Sequence, residues 1–315
     1  MIKYILKRIL YLIPVMLLVT LIVFFLMSIT KGDPARIVVG ESASLEEVEA
    51  MRESMGLNDP FFIRYLRYVR DLFLHGNMGT SYKSGLPVMK EITSALPSTI
   101  RLSLAAITIA ILIGIPIGII SATKQYSFFD NFTMILGLIG ISMPVFWLGL
   151  LLILLFSVRL GWFPPSGLTS FRHVVLPAFT LGTQSIAVFA RMTRSSMLEV
   201  IRQDYIRTVR AKGLPEIMIT FSHVLRNALI PIVTVIGLQF GQLIGGAVLT
   251  ETIFSIPGIG RLMVQALKNR DYPVILGCVL FISVMFCLVN LVIDVIYAFL
   301  DPKIKAQYSR GRKSK

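Results

Sequence analysis

The stretch Ile9-Leu10-Tyr11-Leu12-Ile13-Pro14-Val15-Met16-Leu17-Leu18-Val19-Thr20-Leu21-Ile22-Val23-Phe24-Phe25-Leu26-Met27-Ser28-Ile29 contains no Asp, Glu, Lys or Arg. A helix of about 20 apolar residues crosses the hydrocarbon of a bilayer, and this run has that length. Lys3, Lys7 and Arg8 precede it, as basic residues precede the apolar part of a signal peptide. The run is too long for that role and no small-residue cleavage site follows, so it reads as an uncleaved first span. Five further windows lack the four charged residue types: Leu102–Thr123, Asn131–Val158, Val174–Ala190, Asn227–Thr250 and Tyr272–Ile293, the last continuing past Asp294 to Leu300. The expected fold is an all-α integral membrane protein of six transmembrane helices, with both termini on one side.

Composition agrees. The chain has 315 residues, of which 55% are hydrophobic and 15% charged, and its mean hydropathy is +0.77. Soluble domains are nearer a quarter charged, at about 25%, so neither a soluble enzyme nor a disordered chain is expected. Lys and Arg number 31 against 17 Asp and Glu, a formal net charge of +14. Beside such long apolar runs this excess points to a membrane and not to nucleic acid. With the N-terminus in the cytoplasm, the inner segments 1–8, 124–130, 191–226 and 301–315 hold 17 basic residues in 66 positions, and the outer segments 14 in 108. That is the asymmetry of the positive-inside rule. Cys278 and Cys287 share one apolar run. On a helix they lie roughly 13 Å apart along the axis, too far for a disulfide.

The organisation follows: 1–29, a cytoplasmic N-terminus and first span; 30–101, an extracytoplasmic loop; 102–300, a five-helix core that includes the cytoplasmic segment 191–226; and 301–315, a basic cytoplasmic tail. In the outer loop, Ser44 with Glu47 three residues later marks a helix start. Gly56-Leu57-Asn58-Asp59-Pro60 reads as a turn, and Phe62, Leu66, Val69 and Phe73 recur at helical spacing. Such a helical cap suits either contact with another protein or a solvated lid. In the cytoplasmic segment, Met197, Ile201, Tyr205 and Val209 form one apolar stripe. Gly213 stops that helix, Pro215 starts the next, and Ile217, Phe221, Val224 and Ala228 share a side. The pattern fits a hairpin lying on anionic lipid as well as one seated in a protein partner.

Within the spans, Pro14, Pro116, Pro144, Pro177, Pro231 and Pro273 punctuate the helices. Gly114/Gly118, Gly237/Gly241 and Gly241/Gly245 have the spacing of close helix packing. Asp294 is the main acid inside a span, placed as a helix-end anchor, whereas an ion-coupled carrier needs several such groups. No phosphate-binding loop, zinc-binding His-Glu-x2-His or Gly-x-Ser-x-Gly nucleophile turn occurs. His75, His173 and His223 are scattered, so no metal site and no catalytic residue is expected.

Three stretches carry a resemblance: Arg191-Met192-Thr193-Arg194-Ser195-Ser196-Met197, Asp204-Tyr205-Ile206-Arg207-Thr208-Val209-Arg210-Ala211-Lys212-Gly213, and His223-Val224-Leu225-Arg226-Asn227-Ala228-Leu229-Ile230-Pro231. In order and spacing they resemble the cytoplasmic loop of ABC-importer permeases, nearest the first permease of the dipeptide/oligopeptide/nickel group. Gly32-Asp33-Pro34, Leu96-Pro97-Ser98-Thr99, Gly237-Leu238-Gln239-Phe240-Gly241, Ile256-Pro257-Gly258-Ile259-Gly260-Arg261 and Arg270-Asp271-Tyr272-Pro273-Val274 extend the likeness over the chain. The wider family has Glu-Ala-Ala where this chain has Arg207, Thr208 and Val209; the peptide/nickel branch has Arg-Thr-Ala.

The resemblance implies the type I ABC importer fold in the bacterial or archaeal inner membrane. It implies a second permease, two ATPase subunits that bind ATP and magnesium, a solute-binding protein, and no cofactor in this chain. Asp204–Gly213 would be the coupling helix seated in an ATPase groove, with Arg207 and Arg210 reaching acidic or polar groups and Tyr205 and Val209 packing the hairpin. The cargo would be di- or oligopeptides, with glutathione and nickel chelates as alternatives. From another class, an ion-coupled carrier stays open. Gln184, Gln239 and Gln242 are the candidates to line a polar pathway, with interhelical hydrogen bonding as the competing account.

Overall fold

A computed structural model describes residues 2–30, 32–40 and 42–300, and every regular element among them is helical apart from one isolated bridge between Thr80 and Pro87. The helices are α1 (Ile2–Ile29), α2 (Pro34–Val39), α3 (Leu45–Ser54), α4 (Phe61–His75), α5 (Val88–Thr123), α6 (Phe128–Ser142) and α7 (Val145–Leu152), which runs on as a π-helical stretch, Ile153–Arg159. Then come α8 (Phe171–Ile201), α9 (Asp204–Ala211) and a single turn α10 (Glu216–Met218), joined by a second π-helical stretch, Ile219–Leu225, to α11 (Arg226–Ile253). Helices α12 (Ile259–Lys268) and α13 (Tyr272–Leu300) complete the order. The basic tail 301–315 and the side chain of Asp294 lie outside the described residues.

Five of the six expected spans are continuous helices of sufficient length: α1, α5, α8, α10 with α11, and α13. The third, expected as one run over Asn131–Val158, is instead a pair, α6 and α7, bent by 105°. Pro144 is the cause. It has no N–H to continue the ladder, and it drives the preceding residue out of the helical region; Met143 accordingly sits at φ −79, ψ 126. The second span begins earlier than expected, at Val88, because Val88, Ile92, Ala95 and Thr99 form a buried face while Lys90 and Arg101 point away from it.

Lipid supplies no hydrophobic drive between helices, so close packing has to hold them together. The tightest packing is that of α5 on α8. A Cβ added to Gly114 would lie 2.6 Å from the Ile186 carbonyl oxygen, one on Gly118 2.6 Å from that of Ala190, and one on Gly182 2.8 Å from that of Ala106. The first pair of small residues is therefore a backbone-to-backbone seam. Gly237 and Gly241 of α11 instead make room for side chains of α13, Ile293 and Phe286. Around the seam, Leu102, Ala106, Ala110, Leu181, Phe189 and Phe254 form the main apolar core.

The end opposite α9 is closed by polar side chains. Thr99 Oγ1 donates to Glu251 Oε1 at 2.6 Å and accepts from the Ile259 N–H at 2.9 Å, and the Arg261 N–H donates to Glu251 Oε2 at 3.1 Å. Glu251 is fully buried, held by amides of the first turn of α12. Its carboxylate explains the Pro257-Gly258-Ile259-Gly260 motif: a Cβ on Gly258 would fall 2.2 Å from it. Nearby, buried Asp271 accepts from Ser81 Oγ at 2.5 Å and from the amides of Tyr82 and Lys83. In the cap, Ser44 and Glu47 form the expected reciprocal box, with the Ser44 N–H donating to Glu47 Oε2 at 2.8 Å.

Gly118→Val should break the α5–α8 seam and destabilise the protein by about 1–3 kcal/mol, whereas Gly246→Ala, with nothing within 4 Å, should leave it unchanged. Thermal unfolding in detergent measures both. Equal melting of the two variants would refute the assignment.

Candidate coupling surface and translocation face

The segment after α8 is organised by three local events. Gln203 adopts extended backbone (φ −76, ψ 145), so the chain turns before α9 begins. Gly213 closes α9 at φ +78, a conformation that favours glycine, with its N–H donating to the Arg210 carbonyl at 2.9 Å. Pro215 then precedes α10, and its carbonyl accepts from the Ile219 N–H at 3.1 Å.

This corrects the single stripe expected over Met197, Ile201, Tyr205 and Val209. The turn at Arg202–Gln203 reorients the chain, so Met197 is fully buried while Tyr205 is 37% exposed. The residue that anchors α9 is Ile206, at 0% exposure, with Val209 partly buried beside it. Tyr205 contributes through its hydroxyl, which accepts from Asn227 Nδ2 at 2.8 Å and ties α9 to α11. The second expected face changes too. Val224 and Ala228 are buried, but Ile217 and Phe221 are exposed and Ile219 takes the inner place. A π-helical stretch turns less per residue than an α-helix, so the 3.6-residue spacing loses register there.

The outward surface is consequently mixed. Asp204, Arg207, Thr208, Arg210, Ala211, Lys212 and Gly213 are exposed, beside exposed Ile217, Met218 and Phe221. Arg207 reaches into solvent with 77% of its side chain exposed. Arg210, expected to reach outward, is instead folded across the Gly213 turn, its Nε donating to Glu216 Oε1 at 2.7 Å. That bond holds the Arg210 guanidinium above its ordinary pKa, so it stays charged.

Beneath this surface lies an ion pair that sequence reasoning missed. Arg194 donates from Nε to Asp130 Oδ1 at 2.7 Å and from Nη2 to Asp130 Oδ2 at 2.8 Å, and the Tyr126 N–H donates to the same carboxylate at 2.9 Å. Asp130 is 1% exposed. The pair fastens the start of α6 to α8, about two turns before α8 ends at Ile201. The sequence held a hint: Ser127-Phe128-Phe129-Asp130 has the form of a helix-start box before an apolar run, and the Asp130 N–H does donate to Ser127 Oγ at 3.2 Å. Nothing local named the partner on α8.

The three glutamines separate. Gln239 is half-buried, with Nε2 3.5 Å from Ser185 Oγ on α8, an interhelical contact. Gln184 is half-buried next to Ser185. Gln242 is exposed on a strip of α11 with Leu238, Gly245, Gly246 and Leu249. Among the described residues, no group of three or more His, Cys, Asp or Glu is placed to hold a metal ion.

A membrane bundle with a protruding helix between two spans, and a second end sealed by polar clasps, has the form of a permease subunit. The family described as "Binding-protein-dependent transport system inner membrane component" matches residues 114–306, and its N-terminal companion, "Binding-prot-dependent transport system membrane comp, N-term", matches residues 1–105. The chain belongs to this family, the ABC importer permeases, within the dipeptide/oligopeptide/glutathione group. It is 43% identical to the dipeptide transport system permease protein DppB of Alkalihalophilus pseudofirmus, over 97% of this chain and 100% of that one. It is 44% identical to the glutathione transport system permease protein GsiC of Salmonella typhimurium, over 97% and 99%. In fold it resembles the inward-facing MetNI methionine ABC transporter, with a TM-score of 0.55 at 18% identity over 68% of this chain and 97% of that one. It also resembles an amino acid ABC transporter, with a TM-score of 0.52 at 16% identity over 68% and 94%.

Two arginines of this region should separate structure from function. Arg194→Ala strands the buried Asp130 carboxylate and should cost roughly 3 kcal/mol of stability. Arg207→Ala, on the exposed face, should stay within about 0.5 kcal/mol. Chemical unfolding of both variants, followed by circular dichroism, tests the contrast.

Proposed function

We propose that this chain is one translocation subunit of an ATP-driven importer, that it takes up di- and oligopeptides handed over by a solute-binding protein, and that α9 is its coupling helix. The observation that carries this reading is the α9 surface: a short helix pinned from below by Ile206, braced by Tyr205–Asn227 and Arg210–Glu216, and presenting Arg207 with exposed Ile217 and Phe221. Apolar side chains exposed beside fixed charge suit a protein groove. In this reading the α9 end faces the cytoplasm, where two ATPase subunits bind ATP and magnesium, and the cap of α2–α4 lies outside. The chain itself hydrolyses nothing.

Burying unpaired polar groups of a peptide in hydrocarbon would cost several kcal/mol each, roughly 2–7. A water-lined path between two permeases removes that cost. The exposed strip of α11 around Gln242, Gly245 and Gly246 is the face we assign to that path, with Gln184 and Gln239 behind it supporting the helix packing. Closure of the ATPases would move α9 as a rigid body, and the short link to α8 and the Asp130–Arg194 pair would carry the motion into the bundle.

The peptide reading rests on the likeness to the dipeptide permease. Glutathione is the second reading, supported by the similar likeness to the glutathione permease. The ion-coupled carrier gives way to membership of the importer family.

Reconstituted with its second permease, ATPases and binding protein, the chain should drive ATP-dependent uptake of a labelled dipeptide that excess glutathione leaves intact. Full competition by glutathione would select the second reading. Arg210→Glu and Gly213→Trp should each lower uptake roughly tenfold; wild-type uptake and ATPase stimulation in both would remove α9 from the coupling role. Uptake by the chain alone would overturn the importer mechanism.

A further inference from the structure

A cavity of about 420 Å³ opens at the cap end, between the last turns of α1, helices α3 and α4, and the start of α13. Its walls include Phe24, Arg52, Arg64, Tyr68, Tyr82 and Tyr272. The polar inventory of these walls is unbalanced. Arg52 Nε and the Tyr68 hydroxyl are both buried with no hydrogen-bond partner among the described residues. Arg64 stacks over the Phe24 ring at 5.5 Å and makes no hydrogen bond or ion pair among the described residues. The two acids of the cavity are already engaged: Asp33 lies 3.7 Å from Arg52 Nη1, and Asp71 accepts from Arg70 at 2.9 Å. Burial pushes the Tyr82 hydroxyl up to about 12 and holds that of Tyr68 higher still, so both remain neutral donors. Buried donors without acceptors are costly. One guanidinium and two orphaned donors around one space call for an anionic, oxygen-rich ligand.

The setting narrows the source of that ligand. Helix α4 packs on α1 through Phe61, Tyr65 and Tyr68, whose rings all approach Phe24. The Tyr65 hydroxyl donates to the Leu17 carbonyl at 2.9 Å, well inside the α1 span. This fixes α4 alongside the membrane-embedded part of α1. The stripe that sequence spacing marked as apolar is turned away from the protein: Phe62 is 71% and Leu66 63% exposed, with Ile63 at 50%. An amphipathic helix held at that depth presents such a face to acyl chains while its arginines sit at headgroup level.

We propose that this cavity holds the phosphodiester of a membrane phospholipid, with its acyl chains running along the exposed face of α4 beside α1. Arg64 is the primary contact, and Tyr68 and Arg52 supply the remaining donors. The lipid thereby joins the cap to the first and last spans.

The full chain, purified and delipidated in mild detergent, tests this by native mass spectrometry. Phosphatidylglycerol should form one tight adduct. Diacylglycerol, which lacks the phosphate, should bind at least about tenfold more weakly, and Arg64→Gln should weaken phosphatidylglycerol by a similar factor. Tyr68→Phe keeps the ring against Phe24 and should weaken it about fivefold; it carries the test if Arg64→Gln does not fold. Arg101→Gln, remote from the cavity, should bind as the wild type does. Unchanged retention in the Arg64 variant, or in Tyr68→Phe where that variant stands in, would overturn the proposal, as would equal binding of diacylglycerol. sn-Glycerol 3-phosphate or hexaglutamate binding as tightly without lipid would replace the lipid with a soluble phosphate or an acidic protein segment, and would equally overturn it.

Discussion

Helices α5 and α8 lie so close that a single methyl group at Gly114, Gly118 or Gly182 would meet the opposing backbone. The rest of the molecule depends on that approach. In hydrocarbon, contact between helices is favoured by packing and not by expulsion of water, and the glycines let two long helices share their backbones' surfaces. α5 then carries the polar clasp at one end through Thr99, and α8 carries α9 at the other. A seam of this kind transmits displacement without bending, because packed backbone has no soft side chains to absorb it.

Among the described residues three acids are enclosed, and each is fully engaged. Asp130 with Arg194, Glu251 with Thr99 and the amides of α12, and Asp271 with Ser81 each join segments distant in the chain, at the ends of spans where a helix must be told where to stop. Bidentate or multiply bonded carboxylates can repay the cost of desolvation; isolated ones cannot. The exposed charges of α9 have the opposite character. They cost little to keep in water, and their pairs, Arg207 with Asp204 and Arg210 with Glu216, are solvent-exposed ones that another protein surface can re-match.

Much of the architecture was legible in the sequence. Uninterrupted apolar runs gave the spans, Ser44 with Glu47 gave a helix start that the structure reproduces, and Gly213 with Pro215 gave the stop and restart around α9. What escaped had physical reasons. The break at Pro144 fell inside an apolar run, where a count of charges sees nothing. The π-helical stretch at Ile219–Leu225 shifted a face that the ordinary helical period had placed, so Ile217 and Phe221 emerged as surface. Glu251 stood just past a span boundary drawn by excluding charged residues, and its ligands come from residues far along the chain. Arg194 lay in a recognised motif, but its partner did not. At the candidate site, the outward residues of α9 were legible; the anchor, Ile206, was not, because the turn at Gln203 rotated the stripe.

The clasps at the cap end have a consequence for biosynthesis. Ser81 and Thr99 emerge from the ribosome early, yet their partners, Asp271 and Glu251, lie 190 and 152 residues later. Until the fifth span and the loop after it have been translated and inserted, the early hydroxyls lack these acceptors and the segment around Ser81 is not tied down. A chain released before that point would keep an open, polar mouth.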